Sequence, residues 1–179
     1  MSSAVNMDVQ SVILLLVTAV CAITDARWGK VYNIVTYPSA LIGVGLSFYL
    51  APPTPFMSVA GLLTGLVFFG ILRRISGMGA GDVKLMAALG AIKGLPFLVY
   101  GTFYILCAAT VTGLVLIAWQ GRMVPVLKWV AQTLVAAVTP KYSRPNMDHE
   151  MTPMPFAPAI FIGSAFAIYL ETVYGPFSF

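Results

Sequence analysis

Charge is what this chain has least of. Only 9% of its 179 residues are charged, and just six are acidic, whereas a soluble domain carries about 25% charged residues. Mean hydropathy is +0.91. Such a composition excludes an ordinary soluble fold and leaves a chain suited to lipid. Histidine occurs once, as His149, between Asp148 and Glu150. Three adjacent side chains do not converge easily on one ion, so no metal is expected and the stretch reads as a solvated loop. Cysteine occurs twice, as Cys21 and Cys107, both within apolar runs and without a C-x-x-C pair. That excludes a thiolate zinc site and makes both small packing residues. A basic tail and aromatic–basic interleaving are also missing, so no nucleic-acid partner is expected. Residues 1–10 hold no Lys or Arg. The first apolar stretch therefore lacks the positive leader of a signal peptide and is expected to stay as a membrane helix.

What is present is a series of hydrophobic runs. Spans are expected at Val9–Thr24, Asn33–Leu50, Met57–Leu72, Asp82–Ile92, Phe97–Trp119 and Phe156–Val173. Proline-rich and glycine-containing breaks separate them, notably 51–55 and Lys93-Gly94-Leu95-Pro96. Gly61 and Gly65 in the third run form a small-xxx-small pattern that admits close helix packing. Residues 121–155 differ, with Arg122, Lys128 and Gln132 among apolar positions. Their helical part, about 126–138, is expected to lie amphipathically in the interface, with a further span as the alternative. The fold class is therefore all-α and polytopic, a single membrane domain over 1–179 with about six transmembrane helices and one interfacial helix.

With six spans, Arg27, Lys30, Arg73, Arg74, Lys84, Arg122, Lys128, Lys141 and Arg144 share one side, and the other receives Lys93. The bias of Lys and Arg toward the cytoplasm then sets the orientation, with both termini outside. Two carboxylates, Asp25 and Asp82, fall at this cytoplasmic edge. Each has a plain structural reading. Asp25 can be a helix-end charge paired with Arg27 or Lys30. Asp82 can cap the helix that follows it, after a turn in which Gly77, Gly79 and Gly81 admit positive φ. Together they read differently. Two carboxyls at one depth on separate helices can share a proton, one acting as a base on water and the other donating to a carbonyl oxygen.

Gly79-Ala80-Gly81-Asp82-Val83-Lys84-Leu85 resembles the GxGD-x-K-L signature of the type IV prepilin peptidases. Asp25-Ala26-Arg27, with Asn33 eight residues after the aspartate, is similar to that family's D-x-R motif with its Pro-Asn pair. Met154-Pro155-Phe156-Ala157-Pro158 resembles the stretch that opens its last helix. The resemblance implies an aspartic membrane endopeptidase of the bacterial inner membrane. Such an enzyme removes the short basic leader of prepilin-like substrates at the cytoplasmic face and needs no cofactor. It implies Asp25 and Asp82 as catalytic residues, and Gly79, Gly81, Lys84, Arg27 and Asn33 as substrate-binding or supporting residues. Its partners would be the prepilin, the bilayer and other pilus-assembly components. Tyr32 stands where the family has the proline of its Pro-Asn pair. The cysteine tetrad of the larger, methylating members is missing, which resembles the short peptidase-only branch of the tight-adherence (Flp) pilus kind. A non-enzymatic scaffold or cation-coupled transporter is the competing class; its polar site would lie near mid-membrane rather than at span ends.

Overall fold

The computed structural model describes residues 8–50, 53–76, 78–121 and 156–175, together with positions 124, 128, 131 and 132. Among the described residues every regular element is a helix. They fall in two compact units, one holding residues up to Ala109 together with those from 156 onward, the other beginning at Thr110. The fold of the first unit positions the site. The expected interfacial helix and His149 lie outside the described residues, apart from isolated helical positions such as Lys128.

Helix α1 is Val9–Trp28. It runs past its expected end at Thr24, because what stops it is Gly29 and not the charge. Gly29 takes the left-handed conformation (φ 61°) and its N–H donates to the Asp25 carbonyl at 2.8 Å, the usual glycine stop. Asp25 therefore sits inside the last turn. Helix α2 is Asn33–Leu46, followed by a tight turn through Leu50. Helix α3 is Pro55–Ser76 and starts on proline, whose missing N–H costs nothing there. Helix α4 is Ala80–Trp119, interrupted at Gly94 (φ 83°, ψ 174°). Helix α5 is Ala157–Tyr174.

Four of these helices are long and apolar enough to cross a membrane: α1, α3, α4 and α5. The expected count of about six is not reproduced. The fourth and fifth expected spans are the two pieces of α4, divided where the Gly-Pro break was expected. The second is α2, whose 14 residues give about 21 Å of helix, short of the roughly 30 Å hydrocarbon core.

The first piece of α4, residues 80–93, is the centre of the unit. Leu85, Met86, Ala87, Ala88, Leu89, Ala91 and Ile92 are all buried, so residues 85–92 are apolar all round, as a core helix must be. Its neighbours approach through glycine. A Cβ at Gly61 would strike the Gly90 carbonyl oxygen of α4, one at Gly65 would lie 2.6 Å from Ala87 Cα, and one at Gly43 of α2 2.8 Å from the Ala91 backbone. The Gly61/Gly65 pair thus serves the close packing its spacing predicts. Ser58 adds a hydrogen bond to the Ala91 carbonyl. Helix α1 packs along α5, and Gly163 of α5 lies against Ile105 beyond the break.

At the end of the 80–93 segment lies Lys93, which charge counting reads as a lone charge on the far side. It is buried and saturated: its ammonium meets Glu171 Oε2 at 2.7 Å, Asp8 Oδ2 at 3.0 Å and Ser11 Oγ at 3.1 Å. Ser11 also donates to Asp8. This cluster ties together the start of α1, the middle of α4 and the end of α5.

Candidate active site

At the opposite end of the same helices, Asp25 and Asp82 line one open cavity of about 320 Å³. They come from the last turn of α1 and the first turn of α4, and both are buried. Cys21 lies one turn up α1 from Asp25. Gly29, Lys30, Val31, Tyr32 and Asn33, the α1–α2 connection and the start of α2, form the rest of the wall with Gly79, Ala80 and Gly81.

Each carboxyl is positioned locally. Asp25 Oδ2 accepts the backbone N–H of Ala157 at 3.1 Å. That N–H is among the first of α5, donors that have no partner within their own helix and carry its positive end. The third sequence motif is thus brought onto the first. No ion pair joins Asp25 to Arg27 or Lys30 among the described residues, so the helix-end pairing is not what holds it. Asp82 is the third residue of α4, not its cap. Its carboxyl folds back toward Gly79, the residue before the helix, as a third-position acid does in a capping box. Asp82 Oδ1 is buried without a hydrogen-bond partner among the described residues, a costly condition that calls for a reason.

The motif glycines act through space rather than through φ. Neither Gly79 nor Gly81 has positive φ, so the freedom glycine admits there is not used; Gly77 lies outside the described residues. A Cβ at Gly79 would come 2.8 Å from Asp82 Oδ2, and one at Gly81 2.6 Å from Val31 Cβ. The first glycine makes room for the carboxyl, the second for the loop that closes the cavity.

Lys84 donates to Asn33 Oδ1 at 2.8 Å and lies 5.0 Å from the centre of the Tyr37 ring. It therefore links the first motif to the second without touching a carboxylate among the described residues. Arg27 is exposed and does not line the cavity. Sequence reasoning missed Gly29, the lining by Lys30 and the Ala157 N–H. A glycine four residues after Asp25 was the available signal for the first. Among the described residues no group of His, Cys, Asp and Glu is placed to hold a metal ion.

Comparison with known proteins bears on this arrangement. Residues 12–118 match the model of the type IV leader peptidase family. Two curated relatives, the prepilin leader peptidase/N-methyltransferases of Burkholderia pseudomallei strains 1026b and K96243, are each 32% identical over 106 residues. The match covers 55% of this chain and 34% of either relative, so the chain spans about a third of the length of the curated relatives it matches. No solved structure matches.

Proposed function

The chain belongs to the type IV leader peptidase family, and from that premise we propose that it is an aspartic endopeptidase that removes the leader of prepilin-like substrates at the cytoplasmic face of the inner membrane. The observation that carries the reading is the meeting of Asp25 and Asp82, from separate helices, in one cavity at the helix ends. Asp25 stays fixed by the α5 N-terminus. Asp82 keeps Oδ1 unengaged, as an atom must be that is to bind water or a peptide carbonyl.

The chemistry needs one proton between two carboxyls. The ionised carboxyl removes a proton from water as the water attacks the scissile carbonyl carbon. The protonated partner donates to the carbonyl oxygen, giving a tetrahedral diol. Collapse of that intermediate breaks the C–N bond and passes a proton to the leaving amine. Lys84 and Asn33 brace the wall between the two aspartate-bearing elements. The charge bias of the chain puts this end in the cytoplasm, where water is at hand. Within this reading the chain acts as a peptidase only, of the tight-adherence kind.

The test uses membranes containing Asp25→Asn or Asp82→Asn together with a prepilin. Both variants should insert normally, and leader removal, followed by gel mobility and mass, should fall by at least about a thousandfold. Full processing by either variant would sink the dyad. The wild-type protein should transfer no methyl group from S-adenosylmethionine to the product.

A further inference from the structure

Beside the active-site cavity a second, larger cleft opens between α3 and α4. It holds about 580 Å³ and is lined by Leu66, Gly70, Arg73, Arg74 and Lys84, among others, with no carboxylate in its wall. We propose that this cleft binds the phosphate of an anionic phospholipid, with the acyl chains lying along α3.

Three cations line the cleft with no counterion among the described residues. Arg73 and Arg74 are exposed, and the described ion pairs all belong to Lys93. The contacts of Lys84 are an uncharged amide and an aromatic ring, and no carboxylate pairs with it among the described residues. Guanidinium groups match phosphate oxygens in fork geometry, and three donors around one anion exceed what a topology anchor requires. The apolar half of the ligand is also provided for. Leu63, Leu66, Val67 and Ile71 are all exposed and recur at three- and four-residue spacing, making a stripe that leads down α3 to the arginines. A free phosphate would use the cations and leave the stripe without purpose. An anionic phospholipid uses both. Basic groups at a membrane boundary attract such lipids generally; the cleft adds shape to that diffuse field.

Gly70 separates those two cases. A Cβ there would meet nothing within 4 Å, and leucine favours helix over glycine. Gly70→Leu should therefore fold, fill the cleft and leave every charge in place. The experiment titrates the purified full chain, in uncharged detergent, with fluorescent phosphatidylglycerol and, in parallel, phosphatidylcholine. The wild type should bind phosphatidylglycerol with clear preference. Gly70→Leu and the double variant Arg73→Gln/Arg74→Gln should each weaken that binding by roughly tenfold or more, with helical circular dichroism unchanged. Millimolar inorganic phosphate should not displace the lipid. Wild-type binding by Gly70→Leu, or equal binding of both lipids, would overturn the site; displacement by inorganic phosphate would overturn the lipid. Should the double arginine variant fail to fold, Gly70→Leu decides alone. Because the readout is lipid binding, failure here and loss of the peptidase reading are distinguishable.

Discussion

The two motif glycines next to Asp82 make different demands, and substitution should separate them from mere flexibility. At Gly79 the added Cβ would press on Asp82 Oδ2, the end of a side chain that can swing away. Gly79→Ala should therefore keep the fold and displace the carboxyl. Prepilin processing by this variant should fall by about ten- to a hundredfold, while thermal unfolding moves little; unchanged activity would show that Asp82 has room to spare. Lys93 is the converse case, a residue whose loss should cost stability. It is 4% exposed and its partner Glu171 16%. Lys93→Met leaves a largely buried carboxylate alone, which should destabilise the protein by about 3 kcal/mol, measured by denaturant unfolding in micelles. Asp8, in the same cluster, adds a pH signature. Burial pushes its pKa up, but the Ser11 hydroxyl and the Lys93 ammonium outweigh that and hold it below its ordinary 3.8. A depressed acid stabilises fully above its unfolded pKa and loses that contribution as pH falls through the folded one. Stability should thus be insensitive to this group above about pH 5 and decline below about pH 4, and Asp8→Asn should lack that part of the decline. The change will be small, since Asp8 is half exposed. Asp25 and Asp82 are legible from sequence because a carboxylate ending an apolar run is expensive and needs a purpose. The role of Lys93 is not legible, because its partners lie at the two far ends of the chain and charge counting sees it as alone.

At the scale of helices, the decisive element is the first piece of α4. It carries Asp82 at one end and Lys93 at the other, and it is buried by helices that come close through Gly43, Gly61 and Gly65. Here the obstacle to a larger side chain is backbone, which cannot swing aside. Gly61→Ala would drive a methyl group into the Gly90 carbonyl and should force α3 and α4 apart. A loss of about 2 to 3 kcal/mol in unfolding free energy is expected, with processing reduced in step because α4 aims Asp82. A stability within about 0.5 kcal/mol of wild type would mean that the two helices slide freely. Glycine spacing made this contact readable in advance, and the Gly-Pro sequence made the break at Gly94 readable too. The number of spans was not, for a physical reason. The rule of about 20 apolar residues applies to a helix facing lipid. Residues 85–93 are buried by protein, so their length need not match the bilayer, and sequence hydropathy does not distinguish lipid from neighbouring helices. The outward Arg27 shows the same limit at a motif position: only the observed end of α1 at Gly29 decides which way its last turn points.

At the scale of the whole molecule, the polar groups named above in the first unit form two layers joined by α1, the first piece of α4 and α5. One layer holds Asp25, Asp82 and the Ala157 N–H; the other holds Asp8, Lys93 and Glu171. Between them run about 26 Å of α1, 17 Å of α4 and 21 Å of α5 at 1.5 Å per residue. All three lengths fall below the roughly 30 Å of an average hydrocarbon core. A bilayer of ordinary thickness must thin around this unit, or let its ends sink, and sinking would carry Asp25 and Asp82 away from the water that hydrolysis consumes. The cost of mismatch is a fraction of a kcal/mol per ångström, enough over several ångströms to alter rate without unfolding anything. Prepilin processing should therefore be fastest in vesicles of short- or medium-chain phosphatidylcholine. It should fall several-fold in long-chain vesicles at equal protein incorporation, with circular dichroism unchanged. A rate that held steady or rose in the thickest bilayer would mean that the aspartate layer reaches water by some path other than its distance from the membrane surface.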